Sequence, residues 1–241
     1  MNEVLKKEAF LFRQKNGLSA SEPVYFKSLL QMLNVQAMFR PLKAKNISGM
    51  AIKAGNEFNF MLINTNVAKG RQHFTIAHEL YHLFVQTGFT HYICDTGLFQ
   101  KKNISEYHAD IFASNFLLPE EGLYNQIPDE EFGKDKIKIR TILSIEHYFS
   151  CSRAALLYRL KELGLITSTF YEKFNKDIIK SAKEYGFDIS LYKESSATTF
   201  IGNYGNLAKN LFDSEKISET HYLSLMADIG IDMIQNGGEN G

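Results

Sequence analysis

At 241 residues, 44% hydrophobic and 13% aromatic, the chain has enough apolar content for a substantial packed core, which excludes a disordered protein. Lysine plus arginine and aspartate plus glutamate both number 27, so the formal charge is zero and no basic excess is available to neutralise phosphates. Direct nucleic-acid binding is therefore not expected.

Met1-Asn2-Glu3 runs straight into an amphipathic pattern, with no cationic start, apolar signal core or membrane-length apolar run, so the expected place is the cytoplasm, with no membrane partner. Cys94 and Cys151 are far apart and in no metal-like spacing, which suits a reducing compartment and two free thiols. Asn2 caps a predicted helix that runs to Gly17 and buries Leu5, Ala9 and Phe12. Pro23 suits the first turn of a second, which carries Tyr25, Phe26, Leu29, Leu30 and Leu33 and stops at Asn34. Three short strands follow at Val35–Phe39, Met50–Ala54 and Phe58–Ile63, the last two joined by a Gly55-Asn56 turn.

Residues 70–84 then read as a helix that is apolar nearly all round, through Phe74, Ile76, Ala77, Leu80, Leu83 and Phe84, and so must be largely buried. Inside it stands His78-Glu79-Leu80-Tyr81-His82. Residues four apart share a helix face with Cβ atoms roughly 5–6 Å apart, so His78 and His82 can present two imidazole nitrogens to one tetrahedral zinc ion. Glu79 points about 100° round the helix and can reach the attacking water as general base without ligating. Polar groups unpaired in a core cost several kcal/mol, and a metal supplies the partner that these three need.

Residues 87–103 have weak periodicity and are expected to form a loop near the site, with His91 read as a surface residue. A second helical pattern, Ile104 to Leu118 with Pro119 beyond it, carries Glu106 and Asp110 on one face. Glu106 serves as third ligand, and Asp110 accepts the far ring N–H of a ligating histidine. His108 is a chemically suitable rival two residues from Glu106, but it faces another side of the helix, so both cannot serve equally.

Pro128-Asp129-Glu130-Glu131 reads as a solvated turn without chemistry. Residues 136–166 read as two helices broken at Phe149-Ser150-Cys151, with Ser152 as cap and Gly164 as stop. The shape is that of a helix-turn-helix, yet only Arg153, Arg159 and Lys161 offer outward cations, so a structural αα-hairpin is the better reading. His147 and Tyr148 at its bend are the remaining donor candidates for a transition state. Beyond Thr167, one helix carries Phe170, Phe174, Ile178, Ile179 and Ala182. Two more follow at about 203–212 and 218–234, before the polar tail 237–241.

The run from Gly70 to His82, Glu106-x-x-Ala109-Asp110-x-Phe112-Ala113 and Phe116-Leu117-Leu118-Pro119 together resemble the ImmA/IrrE family of zinc metallo-endopeptidases, over roughly residues 1–166. Tyr81 stands where many relatives have glycine and His108 where an acidic residue is common; neither removes a matched ligand. The resemblance implies an α+β, mostly helical zincin-like metalloprotease domain with a small sheet over 1–166, including the hairpin 136–166. A helical C-terminal region, 167–241, follows and is available for partner recognition. It implies a sheet edge that takes an extended peptide by strand addition. It further implies a partner, a helix-turn-helix repressor of a phage or integrative element, which is cleaved or, alternatively, sequestered without cleavage.

Overall fold

The computed structural model describes residues 2–43, 47–55, 58–88, 91–94 and 103–233, the side chains of 91–94 excepted. Helix α1 (Asn2–Lys15) is followed by α2 (Phe26–Met32), then by strands β1 (Val35–Arg40), β2 (Gly49–Ala54) and β3 (Phe58–Asn64). Next come α3 (Lys69–Phe84), β4 (His91–Cys94), α4 (Ile104–Leu117) and the short α5 (Glu120–Tyr124). The hairpin is α6 (Ile139–Phe149) and α7 (Arg153–Glu162), and the C-terminal part adds α8 (Ser168–Phe174), α9 (Ile178–Glu184), β5 (Thr199–Ile201), α10 (Tyr204–Asp213) and α11 (Glu219–Asp228). This is the expected α+β architecture. No described helix is long and apolar enough to cross a membrane.

The strands form one mixed sheet in the order β4-β2-β3-β1-β5. Strand β3 runs parallel to β1 and antiparallel to β2, so the β1–β3 pairing has to enclose β2 and its connections. Alternation sorts the two faces: Val35, Ala37, Ala51, Met61 and Ile63 are fully buried on one, towards α3, while Met38 on the other packs with α10 and α11. Helix α3 lies across β2 and β3, α4 backs α3, and α1 backs α4. Phe12 of α1 meets Phe112 and Phe116 of α4 at ring centroids of 5.8 and 5.6 Å. A central helix between a sheet and a second helix is buried on every side, which is why α3 is apolar nearly all round.

Several expectations need correction. Residues 91–94 are not loop: they form β4, the antiparallel neighbour of β2. A four-residue strand beside weakly periodic sequence leaves no alternation long enough to detect. Glu131 is not solvated, being 5% exposed and accepting the Lys138 backbone N–H at 2.9 Å. The predicted helix through Phe170 and Ala182 is two helices, because Asp177 takes the left-handed conformation (φ 48°) between α8 and α9.

The hairpin forms as read, with Ser150 left-handed at the bend and Ser152 Oγ accepting the Ala155 N–H at 3.3 Å. Its arginines, however, point inward. Arg153 is 1% exposed, paired with the fully buried Glu146, and donates to the Phe174 carbonyl at 2.9 Å. Arg159, 5% exposed, donates to the Leu118 carbonyl at 3.3 Å. Tyr192, beyond α9, donates to Glu146 Oε2 at 2.6 Å, so the hairpin and the chain after it share one buried polar network. Cys151 is buried as a free thiol; the side chain of Cys94 lies outside the described residues.

Candidate functional site

Helix α3 begins at Lys69 without a side-chain cap and is held by packing: Leu80 and Leu83 are fully buried and Ile76 is 1% exposed. Lys53 of β2 donates to the Leu83 carbonyl at 3.0 Å, which places a cation at the helix C-terminus. On this fixed rod His78 and His82 stack one above the other, with ring centroids 4.9 Å apart and both rings essentially buried. Asn103 caps α4, its Oδ1 accepting the Glu106 N–H at 3.4 Å, and so sets the first turn, from which Glu106 projects towards the two imidazoles.

The second-nitrogen contacts of the two rings fix their chemistry. His78 Nδ1 lies 2.9 Å from Asp110 Oδ1, and His82 Nδ1 lies 2.5 Å from Gln86 Oε1. Each acceptor has no proton to give through that oxygen, so each Nδ1 is the donor and each Nε2 of a neutral ring carries a lone pair. The two Nε2 atoms are 3.1 Å apart, and the Glu106 carboxylate oxygens lie 3.2 Å from each of them. Three electron-pair donors converging in this way repel one another unless a cation or a proton sits among them.

A zinc ion suits the space. Ligand atoms about 2.05 Å from a tetrahedral centre are about 3.3 Å from each other, close to the separations found. His78, His82 and Glu106 are the group of metal-binding side chains that the described residues bring together, their ligand atoms all within 4.8 Å. Without a metal the proton takes its place. Burial works against charge on His78, yet hydrogen bonds to Asp110 and Glu106 outweigh it and raise its pKa to about 9. Burial likewise works against ionised Glu106, but the two histidines bring its pKa down to about 2.

Glu79 is fully buried, one residue round the helix, where β2 begins. Room for it depends on Gly49: a Cβ at that position would lie 2.5 Å from Thr75 Cγ2, 3.0 Å from Glu79 Oε1 and 3.1 Å from the Leu62 carbonyl oxygen. The glycine therefore serves close approach of strand to helix and leaves room for the Glu79 carboxylate, whose charge is felt by His78.

The other sequence candidates stand apart from this group. His108 is half-buried on α4 with its ring 6.4 Å from that of Tyr107, and it does not join the convergent set. His147 faces Tyr192, whose hydroxyl is 3.3 Å from its Nε2, and Phe187 at 5.0 Å; Tyr148 is exposed against Phe149. The side chain of His91 lies outside the described residues. Three residues were missed by sequence reading: Gln86, Gly49, and Ser105, which donates to Gln86 Oε1 at 3.0 Å. Gln86 was legible in principle, because it sits one turn beyond His82.

The family model for the IrrE N-terminal-like domain, Peptidase_M78, matches residues 30–161, more than half of the chain. The matched span includes β1 to β4, α3, α4 and all but the last residue of the hairpin helices. No curated protein matches the chain.

Proposed function

Since the chain belongs to the IrrE N-terminal-like peptidase family, a metallopeptidase family, we propose that it is a zinc-dependent endopeptidase acting on a helix-turn-helix repressor. Zinc would be held by His78, His82 and Glu106. The observation that carries this reading is the convergence of two imidazole lone pairs and one carboxylate, with both rings oriented from behind by Asp110 and Gln86. Bound there, zinc supplies Lewis acidity, which polarises a scissile carbonyl and makes water acidic enough to attack near neutral pH.

The chain's own residues do the rest. Glu79 takes a proton from the attacking water as its oxygen bonds to the carbonyl carbon, and gives that proton to the amine as the C–N bond breaks. Asp110 holds the His78 ring with Nδ1 as donor, and Gln86, itself bonded by Ser105, does the same for His82. The repressor as partner, and a phage or integrative element as its context, follow from the resemblance of the Gly70–His82 and Glu106–Pro119 runs.

The test replaces Glu79 by glutamine. An amide keeps the shape and cannot accept the water's proton, so zinc content should stay near wild type while cleavage of the co-expressed repressor disappears. Undiminished cleavage refutes the mechanism. Repressor inactivation without cleavage by both proteins would instead establish sequestration on a metalloprotease fold.

A further inference from the structure

His78, His82 and Gln86 follow one another at intervals of four, the spacing that keeps side chains on one helix face. Helix α3 ends at Phe84, but the row outlasts it, because the Gln86 backbone N–H turns back to the Tyr81 carbonyl at 2.8 Å. The two histidines are backed by different chemistry. Behind His78 stands the Asp110 carboxylate, 2% exposed, with Oδ1 2.9 Å from Nδ1. Behind His82 stands the half-buried Gln86 amide, with Oε1 2.5 Å from Nδ1. The first acceptor is charged and the second is neutral. Hydrogen bonds to a charged acceptor are roughly twice as strong, so Asp110 raises the basicity of the His78 Nε2 more than Gln86 does that of His82.

Ser105 gives Gln86 its place. Its Oγ donates to the same Oε1 at 3.0 Å, and it stands one residue before Glu106 in the first turn of α4. One turn of helix thus supplies both the carboxylate that meets the two imidazoles and a hydrogen bond to the group behind one of them. Two donors on one amide oxygen use both of its lone pairs and keep the oxygen, rather than the NH2 end, turned to the ring. With the NH2 end inward, His82 Nδ1 would have to accept, and the ring proton would sit on Nε2, where the ligating lone pair is needed. Holding a long glutamine side chain in one orientation also costs rotamer freedom, which the Ser105 bond offsets.

We propose that Gln86 and Ser105 make His82 the weaker of the two imidazole ligands: the amide orients the ring without feeding it charge, and Ser105 acts only through Gln86. Both are positioning residues, and the proposal rests on the zinc reading of the same site. Carboxylates behind both rings would hold the metal more tightly and, by donating more electron density to it, leave it a poorer Lewis acid. An amide behind one ring moves that balance towards reactivity. Were Gln86 there only to satisfy a buried N–H, a carboxylate in its place would serve equally well and change nothing at the metal.

The experiment measures zinc affinity of the full-length protein by chelator competition, with repressor cleavage followed alongside. Gln86→Glu keeps the shape and adds the charge; it should bind zinc about tenfold more tightly and cleave more slowly. A site that is merely disturbed would lose both, so tighter metal with slower turnover separates tuning from damage. Gln86→Leu should lose roughly 10–100-fold in affinity. Ser105→Ala should lose less, and should lose nothing further in the Gln86→Leu background, because its partner is already gone. Cobalt(II)-loaded Gln86→Glu should keep the wild-type visible absorption intensity, as an unchanged ligand set requires. Unchanged or weaker zinc binding by Gln86→Glu overturns the proposal, as do losses from Ser105→Ala and Gln86→Leu that simply add. Failure of the zinc reading looks different: the wild-type protein would then bind less than one equivalent, or Glu106→Gln would keep it.

Discussion

Gly49→Ala tests whether the sheet is as close to helix α3 as described. The added methyl would stand 2.5 Å from Thr75 Cγ2 and 3.0 Å from Glu79 Oε1, and the third neighbour, the Leu62 carbonyl at 3.1 Å, belongs to the paired strand and cannot swing away. Thr75 is fully buried and β-branched, so it has no free rotamer to retreat into. Overpacking of this kind costs about 1–3 kcal/mol, which for a chain of this length lowers the melting temperature by roughly 2–12 °C. Glu79 must shift as well, and a displacement of about 1 Å at a reacting group costs on the order of 100-fold in turnover. Thermal melts by circular dichroism, zinc content and repressor cleavage should therefore show a lower melting temperature, near-normal metal and strongly reduced cleavage. Adding Thr75→Ser removes the methyl at 2.5 Å but not the contact to Glu79, so the double variant should regain stability more than activity. A single variant with wild-type melting and wild-type turnover refutes the close approach.

Two further outcomes are expected. In a chelator competition series on folded variants, Glu106→Gln should lose most of its zinc, His108→Ala should keep it, and Asp110→Ala should fall between, at a loss of roughly 10–100-fold; the reverse order for Glu106 and His108 would make the ligand set three histidines. Metal-free His78, with its pKa raised to about 9, is protonated at pH 7, and zinc needs its Nε2 lone pair, so binding at pH 7 should release about one proton. Apparent affinity should then climb with pH and level off above about 9, while Glu106, brought down to about 2, adds nothing to the slope. By the same linkage, the stability that the raised His78 gives the metal-free fold is complete below its ordinary 6.5 and fades as pH rises through about 9. Calorimetry in two buffers of different ionisation enthalpy reads the proton, and equal heats refute its release.

Sequence reading recovered the elements whose pattern is local. The i, i+4 histidines, the Ser152 cap and the period-two strands are written in neighbouring residues, and β1, β2 and β3 agree with expectation to within a residue at each end. What it missed depends on partners distant in sequence. Strand β5 is three residues that pair with Ala37–Phe39, and no window around Thr199 shows it. Arg153 and Arg159 look like surface cations until Glu146 and the Leu118 and Phe174 carbonyls are known to face them. Gly49 gave no signal because its φ is ordinary and its requirement is steric, set by Thr75 and Glu79. At the site, the ligand spacing was legible, but the choice of Gln86 as the His82 acceptor required the end of α3 in place.

Among the described residues the sheet's outermost strands are its shortest, four residues in β4 and three in β5, with the six- and seven-residue strands inside. Short edges deter chains from stacking on one another. They also limit what an incoming backbone can gain. Alternate residues of β4 face outward, so an added strand finds about four main-chain hydrogen bonds, each worth roughly 1 kcal/mol net, which amounts to millimolar affinity. On the proposed peptidase reading, unfolded chains in general would be held at this edge too briefly to be cut in number. On the same reading, discrimination would fall instead to contacts outside the described strand.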